Sequence, residues 1–302
     1  MTNAAPQWLQ DSERGNKRAL GWMRTFAEHA PGWVADPTLW LISFYYTLFP
    51  SEASAEGSAA YLRAVLGHRP KFAERHRHVR TFAHVIFDRV GLLGRGVAGF
   101  EIRPRNHEII SRYHAEGRAC ILLGAHFGSF EALRSFDRLL PGLSVRYLMF
   151  TENADKTSPI LDSINPDIAA QIISLNDGQA AMLAVREALD EGHFVAFLGD
   201  RMSIRNPRAE IEVDFMGHPA IFPRAPYLIA ILAEAPLILC FSPLVGKKTY
   251  DIVFSEIYDG TPVARGKRDD ACRALAQRFA DELANMCRSH PYNWFNFFDI
   301  WK

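Results

Sequence analysis

His126 and Glu131 stand with four residues between them in the run ILLGAHFGSFE, residues 121–131. An imidazole with an ordinary pKa of about 6.5 can take the proton of a hydroxyl nucleophile near neutral pH. A carboxylate beside it holds the useful tautomer and stabilises the imidazolium, and Glu131 is the nearest candidate. An apolar run ends at Gly124, and a helix is expected to begin near Ser129. Ser129 then reads as an N-cap rather than a nucleophile, and the N–H groups of Gly128 to Phe130 are placed to hold an oxyanion. Gly128 lets a substrate approach the backbone closely. The spacing alone is ordinary: 11 histidines and 34 acids in 302 residues give about one such match by chance. At this level two readings stay open for His126, a general base and a core histidine satisfied by backbone.

The surrounding pattern places these residues. Short apolar runs at 119–123, 145–150, 170–174, 194–198, 237–241 and 250–254 read as buried strands. Amphipathic stretches at 129–140, 178–191, 223–233 and 269–288 read as helices between or after them. Alternation of this kind predicts an α/β fold with a mainly parallel mixed sheet flanked by helices. Ligands of such sheets bind beyond the carboxyl ends of strands. Asp200 and Arg201 follow the run 194–198 and so reach that same edge. They read as acceptor binding or support of the His126 pair, or else as an Asp cap beside a surface Arg. Residues 1–100 read as helical, with Leu20, Met23, Phe26 and Ala27 at helical spacing and Phe82, Val85, Ile86 and Val90 on one stripe. The division expected is a helical N-terminal region, 1–100, covering substrate or membrane, and an α/β core, 101–302.

Composition narrows the function class. Lys+Arg and Asp+Glu are both 34, so no nucleic-acid partner is expected. Residues 61–105 hold ten Lys/Arg against three acids. They read as solvated helix faces or as a surface for anionic lipid or an acidic carrier protein. Cys120, Cys240, Cys272 and Cys287 form no CxxC pair and read as reduced, buried thiols. His68, His76, His78 and His84 lack the partners of a metal site and read as surface residues of a basic helix. No metal and no nucleotide cofactor is expected, since neither GxxxxGK[ST] nor GxGxxG occurs. The apolar run 38–49 is too short to span a bilayer and closes at Pro50. Membrane contact is therefore expected to be peripheral, through helices carrying Trp, Tyr and Phe on one side.

The His126-x4-Glu131 block resembles the catalytic motif of the lysophospholipid acyltransferase superfamily. Within it, the chain is most similar to the bacterial lipid A biosynthesis (lauroyl/myristoyl) acyltransferases. The resemblance covers nearly the whole chain. It runs through Trp8 with Glu13-Arg14-Gly15, Tyr61-Leu62-Arg63 and Phe87-Asp88-Arg89-Val90. It continues through Phe197-Leu198-Gly199-Asp200-Arg201, Phe215-Met216-Gly217 and Pro291-Tyr292-Asn293-Trp294. Two departures stand out. No counterpart of the transmembrane anchor usual in that family is expected, and the stretch Leu148 to Glu152 lacks the family's Arg, for which Arg146 and Lys156 are the candidates. Both departures resemble a divergent branch similar to the acyltransferases of aryl-polyene or xanthomonadin-type pigment pathways.

The resemblance implies acyl transfer from an acyl carrier protein or acyl-CoA thioester to a hydroxyl of a lipid or glycolipid, with no cofactor besides that donor. It implies His126 as general base with Glu131, and Gly128, Ser129, Asp200 and Arg201 at the substrate. It places the protein peripherally on the cytoplasmic face of the inner membrane. Two other functions compete: a hydrolase using the same pair, and a non-catalytic lipid-binding module.

Overall fold

The computed structural model describes residues 30–135, 140, 142–149, 171–174, 178–201 and 209–301. Trp8, Glu13 to Gly15, the helical positions Leu20 to Ala27, Thr151, Glu152 and Lys156 lie outside the described residues. Among the described residues three helices come first: α1 (Gly32–Leu48), α2 (Glu52–Leu66) and α3 (Phe72–Arg95). Ser51 starts α2 by accepting the Ser54 N–H at 3.3 Å, and Gly67 ends it in the left-handed conformation at φ 73°. Pro37 sits inside α1 in its second turn, where its missing N–H removes one backbone bond. α1 packs on α3 and buries Ala35, Leu39, Ser43 and Thr47, one residue per turn. The Ser43 and Thr47 hydroxyls donate to the carbonyls of Leu39 and Ser43, each at 2.6 Å, which lets polar residues sit in that seam.

The rest is the α/β layer that the apolar runs predict. Among the described residues the main sheet has eight strands, β1 (Glu101–Arg105), β2 (Ile121–Gly124), β3 (Val145–Met149), β4 (Ile172–Ser174), β5 (Phe194–Leu198), β8 (Leu237–Phe241), β9 (Leu244–Gly246) and β10 (Thr249–Tyr258). Its order is β1-β10-β8-β2-β5-β3-β4, with β9 paired to β10. Strands β8, β2, β5, β3 and β4 are mutually parallel, while β10 runs antiparallel to β8. Helices α4 (Glu108–Ala115), α5 (Gly178–Asp190), α6 (Ala225–Ala233) and α7 (Arg268–Ser289) complete the layers. Leu123, Val195 and Leu239 join one hydrophobic cluster, and Leu122, Ala196 and Ile238 join another on the opposite face. A strand buried on both faces must be apolar throughout, which is why these runs do not alternate.

Helix α4 and strand β9 are not among the stretches expected above. Neither are β1 (EIRPR), a polar edge strand, and β6 (Glu210–Phe215) with β7 (His218–Pro223), which form a separate hairpin. In β6 the residues Ile211, Val213 and Phe215 point inward and alternate with acids, a period-2 signal present in the sequence. The helix expected over 129–140 is a 3-10 helix over Phe130–Ser135, with 136–139 outside the described residues. All four cysteines are buried and unpaired. His78 is not on the surface. It is wholly buried, with Nε2 2.8 Å from the Trp294 carbonyl and Nδ1 2.9 Å from Ser58 Oγ, and burial pushes it down to about 4. The aromatic tail from Trp294 to Trp301 packs into the core, with Trp294, Phe295 and Ile300 all buried.

Candidate active site

β2 and β5 are parallel neighbours, with Gly124 opposite Leu198. A residue two positions past each strand end therefore meets its counterpart across the sheet edge. Those residues are His126 and Asp200. His126 Nδ1 lies 2.8 Å from Asp200 Oδ1. Asp200 Oδ2 accepts two more hydrogen bonds, from the His126 backbone N–H and from Trp294 Nε1, both at 3.0 Å. An ionised carboxylate only accepts, so Nδ1 carries the proton and Nε2 keeps its lone pair. The Asp200 side chain is fully covered, while 32% of the His126 side chain remains exposed. The imidazole is therefore partly open to solvent while its Nδ1 is fixed.

The charges fit that arrangement. Burial and the Arg201 guanidinium lower the His126 pKa, outweighing the pull of Asp200, so the ring is neutral at pH 7. Burial alone would raise Asp200, but His126, Arg201 and the Trp294 N–H hold its carboxyl well below the usual range. Arg201 is held by an Nη2–H donated to the Phe295 carbonyl at 2.8 Å and lies over the Phe298 ring. Its role in the structure is a fixed charge beside the pair, not a surface side chain.

Glu131 does not hold His126. Its Oε1 pairs with Arg89 Nε of α3 at 2.7 Å, and its Oε2 accepts from Ser129 Oγ at 3.3 Å. The physical reason is the 3-10 turn at Phe130–Ser135, in which Glu131 is held by α3, while β5 delivers a nearer carboxylate to Nδ1. Gly128 and Ser129 are likewise occupied by the chain itself. Gly128 has φ +64°, and a Cβ there would stand 1.7 Å from the Ser242 carbonyl oxygen, so the close approach it permits is made by the loop after β8. Its N–H donates to Asn293 O at 2.8 Å, and the Ser129 N–H donates to Ser242 O at 2.9 Å. Neither amide is free for an oxyanion. Ser129 is fully buried, and its hydroxyl is turned to Glu131 rather than to a helix N–H.

Arg146 sits on β3 beside His193, with Nη2 3.4 Å from Nε2, so it belongs to a different part of the sheet edge from the His126 pair. Two site residues have no functional reading in the sequence. Arg89 lies in the block Phe87 to Val90, and Trp294 lies 94 residues from the aspartate it binds. Nothing local marks a tryptophan N–H as a carboxylate donor. The partner of Glu131 was accessible in principle, because α3 carries Arg75, Arg77, Arg80, Arg89 and Arg95.

No curated protein matches the chain. The profile of the bacterial lipid A biosynthesis acyltransferases matches residues 95–302, a span that contains β1 to β10, the His126–Asp200 pair and Trp294. With more than two thirds of its length in that match, the chain belongs to the bacterial lipid A biosynthesis acyltransferase family.

Proposed function

We propose that the protein moves a fatty or polyene acyl chain from the thioester of an acyl carrier protein or acyl-CoA to a hydroxyl of a lipid or glycolipid. The observation that carries this reading is a partly exposed histidine with Nδ1 fixed on a buried carboxylate. In the proposed step the acceptor O–H gives its proton to Nε2 as its oxygen attacks the thioester carbonyl carbon. The tetrahedral intermediate collapses with cleavage of the C–S bond, and the imidazolium returns the proton to the leaving thiolate. Asp200 orients the ring and stabilises the imidazolium. Glu131 serves by holding Arg89, whose charge acts on His126 together with that of Arg201. Two guanidinium groups suit the negative charge that develops on the carbonyl oxygen. Gly128 and Ser129 shape the loop that carries the base.

In this proposal the helical region, 1–100, covers the α/β core, 101–302, and seats it on the cytoplasmic face of the inner membrane. Every residue exposed between Trp33 and Phe49 is apolar or aromatic, including Trp40, Leu41, Tyr45, Tyr46 and Phe49. Trp and Tyr favour the bilayer interface. Exposed Lys71 sits beside this face, next to Phe72, whose ring meets Phe44 of α1 at 5.6 Å, and offers charge to anionic headgroups. No helix of the described residues is long and apolar enough to cross a membrane. Replacing Trp40 and Tyr45 together by Ser is expected to weaken binding to anionic phospholipid vesicles about tenfold or more, read by co-sedimentation. Unchanged binding removes α1 from the membrane reading.

The test of the reaction offers the protein labelled acyl carrier protein or acyl-CoA with a membrane lipid extract, beside His126→Ala. Labelled lipid formed only by the wild type supports acyl transfer, and the product identifies the acceptor. Labelled free acid alone means hydrolysis. Equal yields from both proteins remove His126 from the reaction.

A further inference from the structure

We infer that Trp294 is a positioning residue of the reaction, acting through Asp200; the inference rests on the proposed role of His126 as base. The indole Nε1–H donates to Asp200 Oδ2 at 3.0 Å, and Oδ1 of the same carboxylate is the atom that meets His126 Nδ1. A carboxylate free to rotate would present either oxygen to the imidazole. With Oδ2 tied to both Trp294 and the His126 backbone N–H, only Oδ1 is left for Nδ1, and the ring plane is set.

The indole is itself immobile. It is fully buried, with the rings of Tyr61 and Phe215 edge-on at 5.0 and 5.2 Å. Its backbone neighbours grip both catalytic loops. The Phe295 N–H donates to the His126 carbonyl at 2.7 Å, the Asn293 carbonyl accepts from Gly128 N–H at 2.8 Å, and the Phe295 carbonyl accepts from Arg201. From the other side, His78 Nε2–H donates to the Trp294 carbonyl, and the Tyr61 hydroxyl donates to the Pro291 carbonyl at 2.8 Å. One segment thus locks the base, its carboxylate and the adjacent guanidinium into one geometry. Of these polar contacts only the Nε1–H bond to Asp200 depends on the side chain at 294.

Loss of the N–H alone has a definite sign. Asp200 then keeps more negative charge toward His126, the imidazolium is favoured, and the unprotonated base appears only at higher pH. The experiment compares the wild type with Trp294→Phe, and with benzothienylalanine placed at 294, which keeps the bicyclic shape without the donor. Two readouts are taken on the full chain: steady-state acyl transfer against pH, and the NMR titration of the His126 ring nitrogens. The expected result in both variants is a kcat lower by about tenfold to a hundredfold with KM unchanged, and both the kinetic acid limb and the NMR titration moved to higher pH. A packing role predicts lower stability of Trp294→Phe but a titration of His126 equal to wild type in the bicyclic variant, and that result overturns the inference. If His126→Ala keeps its activity, the acyl-transfer mechanism fails, while the NMR titration still decides the role of Trp294.

Discussion

Asp200→Asn is expected to lower acyl transfer by about 10²–10⁴-fold, an effect of the same order as losing the base in His126→Ala. The argument is one of donors and acceptors. Asp200 accepts from His126 Nδ1, from the His126 backbone N–H and from Trp294 Nε1. An asparagine has one acceptor oxygen and one donor NH₂. Its oxygen must stay with the two fixed N–H groups, because the alternative buries both unpaired. The NH₂ then faces Nδ1, which must accept, and the ring proton moves to Nε2, where the attacking hydroxyl needs a lone pair. The rate should fall with little change in substrate binding, measured as kcat against KM in the transfer assay. In the wild type the rate should fall as pH drops through the His126 pKa, which burial and Arg201 place below the ordinary histidine value. Glu131→Gln leaves the Nδ1 contact in place but uncovers the Arg89 charge, which lowers the His126 pKa, so that acid limb should move, if at all, to lower pH while the rate drops through the disturbed Arg89 pair.

Gly128→Ala is expected to destabilise the protein by roughly 3 kcal/mol or more and to remove activity. A Cβ at 128 would stand 1.7 Å from Ser242 O and 2.4 Å from Ser242 C, backbone atoms tied to the end of β8. Neither can move without breaking the Ser129 N–H bond to Ser242 O. The positive φ adds strain of about 1–2 kcal/mol. Gly217→Ala separates the two contributions. It has φ +84° but nothing within 4 Å of its Cβ position, so it should show the strain alone. Denaturant unfolding of both variants reads the difference directly.

How far the sequence discloses this site depends on the range of the contacts. His126 is legible because a buried strand, a glycine and a histidine are adjacent in sequence. Asp200 is half legible: the apolar run before it predicts arrival at the same edge, and support of His126 was one of its readings. What the run does not tell is that β2 and β5 are neighbours, since strand order is set by crossovers rather than by local pattern. Glu131 was misassigned to the ring because spacing along the chain stands in poorly for distance when a 3-10 turn redirects the side chain. The oxyanion reading of Gly128 and Ser129 failed for a similar reason. Their N–H groups are satisfied by Asn293 and Ser242, residues remote in sequence, and local pattern says nothing about such partners. β1 escaped because an edge strand paired on one side can be as polar as Glu101 to Arg105.

The distance between the parts of the site also has a consequence for the birth of the enzyme. The base is made 168 positions before the indole that fixes its carboxylate. At ribosomal speeds of 5–20 residues per second, that gap lasts on the order of ten seconds. For its last 94 positions, Asp200 to Trp294, the histidine and aspartate have both been synthesised, yet the segment that locks them together has not. Such long-range contacts are slow to close for entropic reasons as well. A growing chain therefore carries the His126–Asp200 pair without its clamp, and the assembled geometry arrives late, when Asn293 to Phe295 dock between the two loops.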